Sequence, residues 1–405
     1  MGAARGVFAA IALAIPGYAS TAAAQTHPSI DARTWRPSTD PQANLVLEPA
    51  VTPGPCRWNV GAWAEYASNP VVWRDAPGGA TITPVRNTIG AELVAGLGIG
   101  ERAAVGVEVP FFLWQDGASS LPAGIVSGGA VPKSGIGDVT LTGKATIVSN
   151  DRQSVRAGPA LAALAALSFP TGDRGSFVGE GAITSSLRLL GEYALGVVAA
   201  RASLGYVLRT ERRTWPDASL GGVTFGDTIP WTAGMTLRPK VLGPFLDSGD
   251  KQVWEIAIHG SLPAGPVAPF GVGKSGASAL SPALLAADDR IALGRDGDVY
   301  LLVGGELGLD AAVGVPRFRA LMSIGWAPRV HDRDGDGVPD DVDECPDLPE
   351  DRDGLQDQDG CPEDDADGDG ILDETDACPL VSGAPSDDPK KNGCPGPTPR
   401  REEGP

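Results

Sequence analysis

The sequence predicts an all-β fold: a transmembrane antiparallel β-barrel of about twelve strands, followed by a small acidic repeat module that carries most of the cysteines. Three observations predict it. Apolar and polar residues alternate with a period of two over long stretches between Cys56 and Ala327. No segment beyond the N-terminus reaches the ~18 consecutive apolar residues that a membrane helix requires. Charge is also uneven: of a net −19, the residues from Arg329 onward hold 25 acids against 7 bases, which leaves the body nearly neutral.

Residues 1–24, MGAARGVFAAIALAIPGYASTAAA, read as an export signal. Arg5 supplies the positive end, Val7 to Ile15 the apolar stretch, and small residues the cleavage region before Gln25. No cysteine follows the apolar stretch, so a lipid-anchored mature N-terminus is not indicated. Residues 25–55 are assigned to an N-terminal extension, 56–328 to the barrel, 329–395 to the repeats and 396–405 to a disordered C-terminus.

Within the body, Val139, Leu141, Ala145 and Ile147 share one face of a strand, and Thr140, Thr142, Lys144 and Thr146 the other. Ala200, Ala202, Leu204, Tyr206 and Leu208 oppose Arg201, Ser203 and Arg209. Trp254, Ile256, Ile258 and Leu262 oppose Glu255 and His259. Phe318, Ala320, Met322, Ile324 and Trp326 oppose Arg319 and Ser323. Similar stretches start near Asn87, Ala103, Ile183, Thr228 and Asp298, with Glu92, Glu108, Arg188 and Glu192 on polar faces. The apolar run ALAALAAL (160–167) has leucines at spacing three and is also compatible with a short helix.

A soluble sandwich alternates too, with its apolar face against a second sheet. Strand length favours the barrel: these stretches run ten residues or more, where soluble strands average about five or six. Trp58, Trp114, Tyr193, Trp231 and Trp326 fall near strand ends, as an interfacial girdle requires. Glycine- and proline-rich connections alternate short and long. Outer-membrane lipid is therefore an expected partner, and an even strand number returns the tail to the periplasmic side. Lys144, Arg188, Glu192, Arg201, Glu255, His259 and Arg319 are the lumen-face candidates.

No catalytic residues are predicted. GVGKSG (271–276) has the glycine spacing of a phosphate loop, but Ala268 replaces a required glycine and Pro269 and Phe270 stiffen it, so it reads as an outer loop. His27, His259 and His331 lie far apart and make no metal or nucleophile pattern. No basic patch points to nucleic acid.

The tail carries the most specific chemistry. DRDGDGVPDDVDECP from Asp332 and DADGDGILDETDACP from Asp365 both read D-x-D-x-D-G-x-x-D-x-x-D-x-C-P, thirty-three residues apart. Calcium takes six to eight oxygens, and Asp at alternating positions of a tight loop wraps carboxylates round one ion. Gly337 and Gly370 permit the turn, and the carbonyls of Val338 and Ile371 can add a ligand. Asp340 and Asp343, or Asp373 and Asp376, complete the shell. Cys345, Cys361, Cys378 and Cys394 are disulfide candidates, at spacings of sixteen within each unit, and their connectivity is open. Cys56 is left over.

These residues resemble thrombospondin type 3 repeats over 332–395. The resemblance implies calcium ligands at Asp332, Asp334, Asp336, Asp340 and Asp343, and at Asp365, Asp367, Asp369, Asp373 and Asp376. The shorter unit DRDGLQDQDGC is similar to the family's second loop type, which implicates Asp351, Asp353, Asp357 and Asp359. The last unit keeps only Asp387, Asp388 and Asn392. With SGIGDVTLTGKATIV, ALSFPTGD (166–173) and GVPRFRALMSIGWAP, the chain resembles OmpA-like outer-membrane proteins, in which such repeats link a barrel to a peptidoglycan-binding domain. Only PGPTPRREEGP follows Cys394, so that domain is expected to be lacking. The resemblance implies a structural barrel or passive small-solute porin, its tail meeting a periplasmic or surface protein; an exported calcium-dependent adhesion protein is the alternative.

Overall fold

The structure is a computed structural model that describes residues 30–74, 81–118, 131–149, 157–173, 176–215, 223–243, 245–247, 251–265, 280–294, 297–328, 334–336, 338, 343–350, 359–362, 365, 367–373 and 375–396. The strands are β1 (Trp58–Arg74), β2 (Thr81–Ile99), β3 (Ala103–Asp116), β4 (Gly135–Ile136), β5 (Thr140–Val148), β6 (Ala157–Ser168), β7 (Thr184–Leu195) and β8 (Val198–Arg209). They continue with β9 (Arg213–Trp215), β10 (Val223–Phe225), β11 (Asp227–Leu237), β12 (Gln252–Gly265), β13 (Ala283–Leu293), β14 (Val299–Gly308) and β15 (Phe318–Trp326). No α-helix occurs among the described residues.

Twelve of these strands close on themselves, each antiparallel to both neighbours. The seam joins first to last, with Val60 opposite Trp326 and Ser68 opposite Phe318. Closure satisfies every strand's backbone groups without leaving an edge, which a hydrocarbon surrounding demands. The two-residue β4 adds to β3, and β9 and β10 form a separate hairpin. The run at 160–167 is the strand β6, paired along its length with β5 and β7, and not a helix. Wall pairing overrides the leucine spacing there: Leu161 and Leu167 point outward and Leu164 inward.

The wall is apolar outside and polar inside. Along β15, Met322 and Ile324 are 53% and 54% exposed while Leu321 and Ser323 are 3% and 1% exposed, and this inversion of a soluble protein's pattern fits an outer surface solvated by lipid. Trp58, Trp114, Tyr193 and Trp326 all face outward, and Trp58 and Trp326 meet edge-on across the seam at 5.0 Å. Trp231, placed near a strand end by the sequence, stands in the middle of β11. The barrel is an outer-membrane type, with strands of nine residues (β5, β15) to nineteen (β2).

Both ends of the wall lie at one rim, where the turns at 100–102, 196–197 and 294–298 are short. The β11–β12 connection at this rim is longer and holds a 3₁₀ turn, Pro239–Leu242. The opposite rim carries long connections such as 169–183 and 309–317.

Residues 30–57 have almost no regular structure and run through the lumen from the long-loop rim to the other. At the top, Asp31 bridges Val178 and the Ala32 amide donates to the Phe177 carbonyl at 3.0 Å. Ile30 and Ala32 pack there with Val71, Val85, Val131, Phe177 and Leu280. Midway, Trp35 and Leu45 pack on Trp63, Val94 and Leu302. At the bottom, the Thr52 hydroxyl donates to the Glu101 carbonyl and the Cys56 amide to that of Gly98.

Candidate calcium loops and a threaded lumen

The threaded segment is polar because the wall it meets is polar, and charges pair across the gap. Arg33 bonds Glu92 of β2 at 3.1 Å and stands 3.6 Å from Glu108 of β3. Burial pushes the Asp31 carboxyl up, but the Arg33 and Arg36 guanidiniums, 2.9 and 2.7 Å away, outweigh it and hold Asp31 well below the usual carboxylate range. Lys144 of β5 reaches Asp40 at 2.7 Å and Glu48 at 3.5 Å. Glu255 of β12 accepts the amides of Val46 and Leu47, both at 2.9 Å. Asp288 of β13 accepts the Leu45 amide and the Asn44 side chain. Arg290 of β13 donates to the Pro41 carbonyl, and Glu192 of β7 accepts the Ala50 amide.

The lumen-face candidates all point inward. Arg201 bonds Glu192 at 2.9 Å, His259 stands 2.8 Å from Glu306, and Arg319 bridges Glu306 and, at 3.0 Å, Glu65. Sequence reasoning passed over the partners within 30–50, chiefly Asp31, Arg33, Asp40 and Glu48. The legible signal was a set of inward wall charges, Glu92, Glu108 and Lys144 among them, with no counter-charge directly opposite on a neighbouring strand, beside an N-terminal stretch carrying both signs. His27 and His331 and the GVGKSG stretch lie outside the described residues.

The lumen is not filled. A cavity of about 310 Å³ lies between the segment and strands β3, β5 to β8 and β10 to β12, reaching from Phe225 and Leu280 at the long-loop rim to Glu48 midway down.

In the tail, disulfides join Cys345 to Cys361 and Cys378 to Cys394. The two units are built alike. Asp336 and Asp369 each accept the amide two residues on (Val338, 2.6 Å; Ile371, 2.9 Å). Their other oxygens accept the amides of Glu350 and Gly383 at 3.0 and 2.9 Å, fourteen residues on in each case. Oxygens of Asp334, Asp336 and Asp343 gather within 4.8 Å of one another, as do those of Asp365, Asp367 and Asp369. Of the remaining candidates, Asp359 caps the Cys361 amide, Asp376 caps the Cys378 amide, and Asp373 lies in the second loop. Asp332, Asp340, Asp351, Asp353 and Asp357 lie outside the described residues.

Comparison with known families matches this tail. The thrombospondin type 3 repeat model covers residues 331–352 and 350–385. Among solved structures, an outer-membrane channel from Pseudomonas putida F1 is 12% identical, covering 69% of this chain and 99% of that one at a TM-score of 0.48. The NanC porin is 9% identical (67% and 100% covered, TM-score 0.40). The translocator domain of autotransporter NalP from Neisseria meningitidis is 10% identical (70% and 90% covered, TM-score 0.39). No curated protein matches. The barrel assignment rests on the strand pairing itself.

The repeats' residues fit a hard divalent cation. One oxygen each of Asp343, Asp367 and Asp376 caps a backbone amide, and the second is buried with no hydrogen-bond donor among the described residues. Such shielded acceptors are what calcium takes and water does not reach. Burial and the neighbouring Asp369, Asp376 and Asp365 push the Asp367 carboxyl up, outweighing the Asp369 amide that it accepts, a crowding of negative charge that a cation would relieve. Asn392 is different: its amide accepts from Ser386 and donates to the Thr375 carbonyl, both at 2.9 Å, so it bridges backbone in the last unit.

Proposed function

We propose that the protein, exported by residues 1–24, sits in the outer membrane as a passive small-solute barrel with a calcium-binding thrombospondin type 3 tail on the periplasmic side. One observation carries the passage reading: the lumen keeps an open cavity of about 310 Å³ beside the threaded segment. Passage would involve no covalent chemistry; lumen width and charge would choose the solute. Calcium would be held by Asp334, Asp336 and Asp343 in one loop and Asp365, Asp367 and Asp369 in the other, neutralising carboxylates that otherwise repel. The periplasmic placement is supported by β15 ending at the short-turn rim, the periplasmic rim in such barrels, and it disfavours adhesion between cells.

A liposome-swelling assay with small uncharged and charged solutes tests passage. Swelling above protein-free vesicles is expected; a correctly folded but silent barrel would leave a structural role. Calorimetric titration should find several calcium sites, with binding greatly reduced in the Asp334→Ala, Asp367→Ala double variant. A tail indifferent to chelator would contradict the calcium assignment.

A further inference from the structure

The charged side chains that line the lumen cavity are nearly all neutralised. Arg33 and Arg36 face Asp31, Arg209 bonds Glu180 at 2.7 Å, and Lys144 holds Glu48. Among the arginines that line the cavity, Arg188 of β7 is the one with no ion pair among the described residues. Its Nη2 donates to the Ser203 hydroxyl at 2.9 Å, and its Nε is buried with no hydrogen-bond acceptor. Glu48, which lines the same cavity, is already engaged by Lys144. A guanidinium that lines a cavity without an ion-pair partner offers a contact to an anion.

The surroundings make room for this side chain. Gly205 stands opposite Arg188 on β8, and a Cβ there would lie 2.5 Å from the arginine's Cγ. Ser203 in turn bonds Thr232 of β11 at 2.8 Å, so the Nη2 end is fixed while the guanidinium still lines the cavity. Leu164, Ala166 and Val207 line the same cavity and offer an apolar wall.

We propose that this cavity binds a small monocarboxylate, with Arg188 as the anion contact and the apolar wall taking the ligand's hydrocarbon body. A planar carboxylate matches a guanidinium edge. A dianion is disfavoured because Asp31, Glu48, Glu108, Glu180 and Asp227 also line the cavity. The inference deepens the small-solute reading and rests on it in that the cavity must be reachable from solvent.

The test titrates butyrate and its neutral isostere butyramide calorimetrically into the full chain in non-ionic detergent. Butyrate should bind at least about tenfold more tightly than butyramide. Arg188→Gln should abolish that preference, and Arg188→Lys should restore part of it, with unheated gel mobility reporting the folded barrel in each. Equal binding of the two probes to the unaltered protein would overturn the proposal, as would a preference that survives Arg188→Gln. Binding of butyrate without liposome swelling would support the site while removing the passage reading, so the two failures are distinct.

Discussion

At the scale of single residues, the lumen's stability depends on charges that cannot be removed one at a time. Arg319 is 3% exposed and serves both Glu306 and Glu65. Arg319→Ala should destabilise the barrel by about 3–5 kcal/mol, because the Glu65 and Glu306 carboxylates lose their guanidinium partner and Glu306 keeps only His259. Urea unfolding followed by loss of the fast-migrating unheated band measures it, and a triple variant that also replaces both glutamates by apolar residues should lose much less. Asp31 gives a pH prediction. A carboxyl held low contributes its full stability above its ordinary pKa near about 4 and loses it progressively as pH falls from there towards the lower folded value. The protection factor of the Ala32 amide should therefore hold down to about pH 4 and weaken progressively below it, and Asp31→Asn should lower it at neutral pH. In the tail, Gly360 and Gly393 have φ of +77° and +72°, and a Cβ on either would lie 2.3 or 2.0 Å from the Asp343 or Asp376 carboxylate. Gly360→Ala should lower calcium affinity at the first unit several-fold in calorimetry, leaving the second unit's sites unchanged.

At the scale of elements, alternation made the strands legible because each wall strand has one lipid face and one lumen face. β15 follows it residue by residue, and β5 places Lys144 and Thr146 inward with Leu141 and Ile147 outward. Where the pattern misled, both faces were apolar: β6 buries Ala162 and Leu164 inside and exposes Leu161 and Leu167 outside, so period two vanished from its composition. On the lipid face, Leu189→Arg should cost about 2–4 kcal/mol if it sits near mid-bilayer. On the threaded segment, Glu255→Ala removes the acceptor of two amides. Faster exchange at Val46 and Leu47 with an intact barrel is the expected result. The segment itself was illegible for a physical reason: it has no periodicity, and its order comes from partners such as Glu255 and Asp288, more than 200 residues away.

At the scale of the whole molecule, two parts are stabilised by different means. The barrel relies on strand pairing and lumen charge pairs, and the tail on two disulfides and carboxylate loops without an extended core. Chelator should therefore abolish the tail's protection from proteolysis while the barrel's heat-modifiable migration persists. The tail's repeat was readable because ligand spacing is written in consecutive residues. The cavity at Arg188 was not, because its walls come from eight strands and from a segment that crosses behind them.

Threading also dictates an order of assembly. The chain passes through its own lumen before it lays down β1, yet the wall around it closes only when β15 meets β1. Contacts of such sequence separation form late and slowly. A growing chain that has not reached Gln252 has neither Glu255 nor Asp288 to grip residues 44–47. Once the seam shuts, withdrawal must drag every charged side chain past its partners, so the segment is captured as much by the history of the fold as by its bonds.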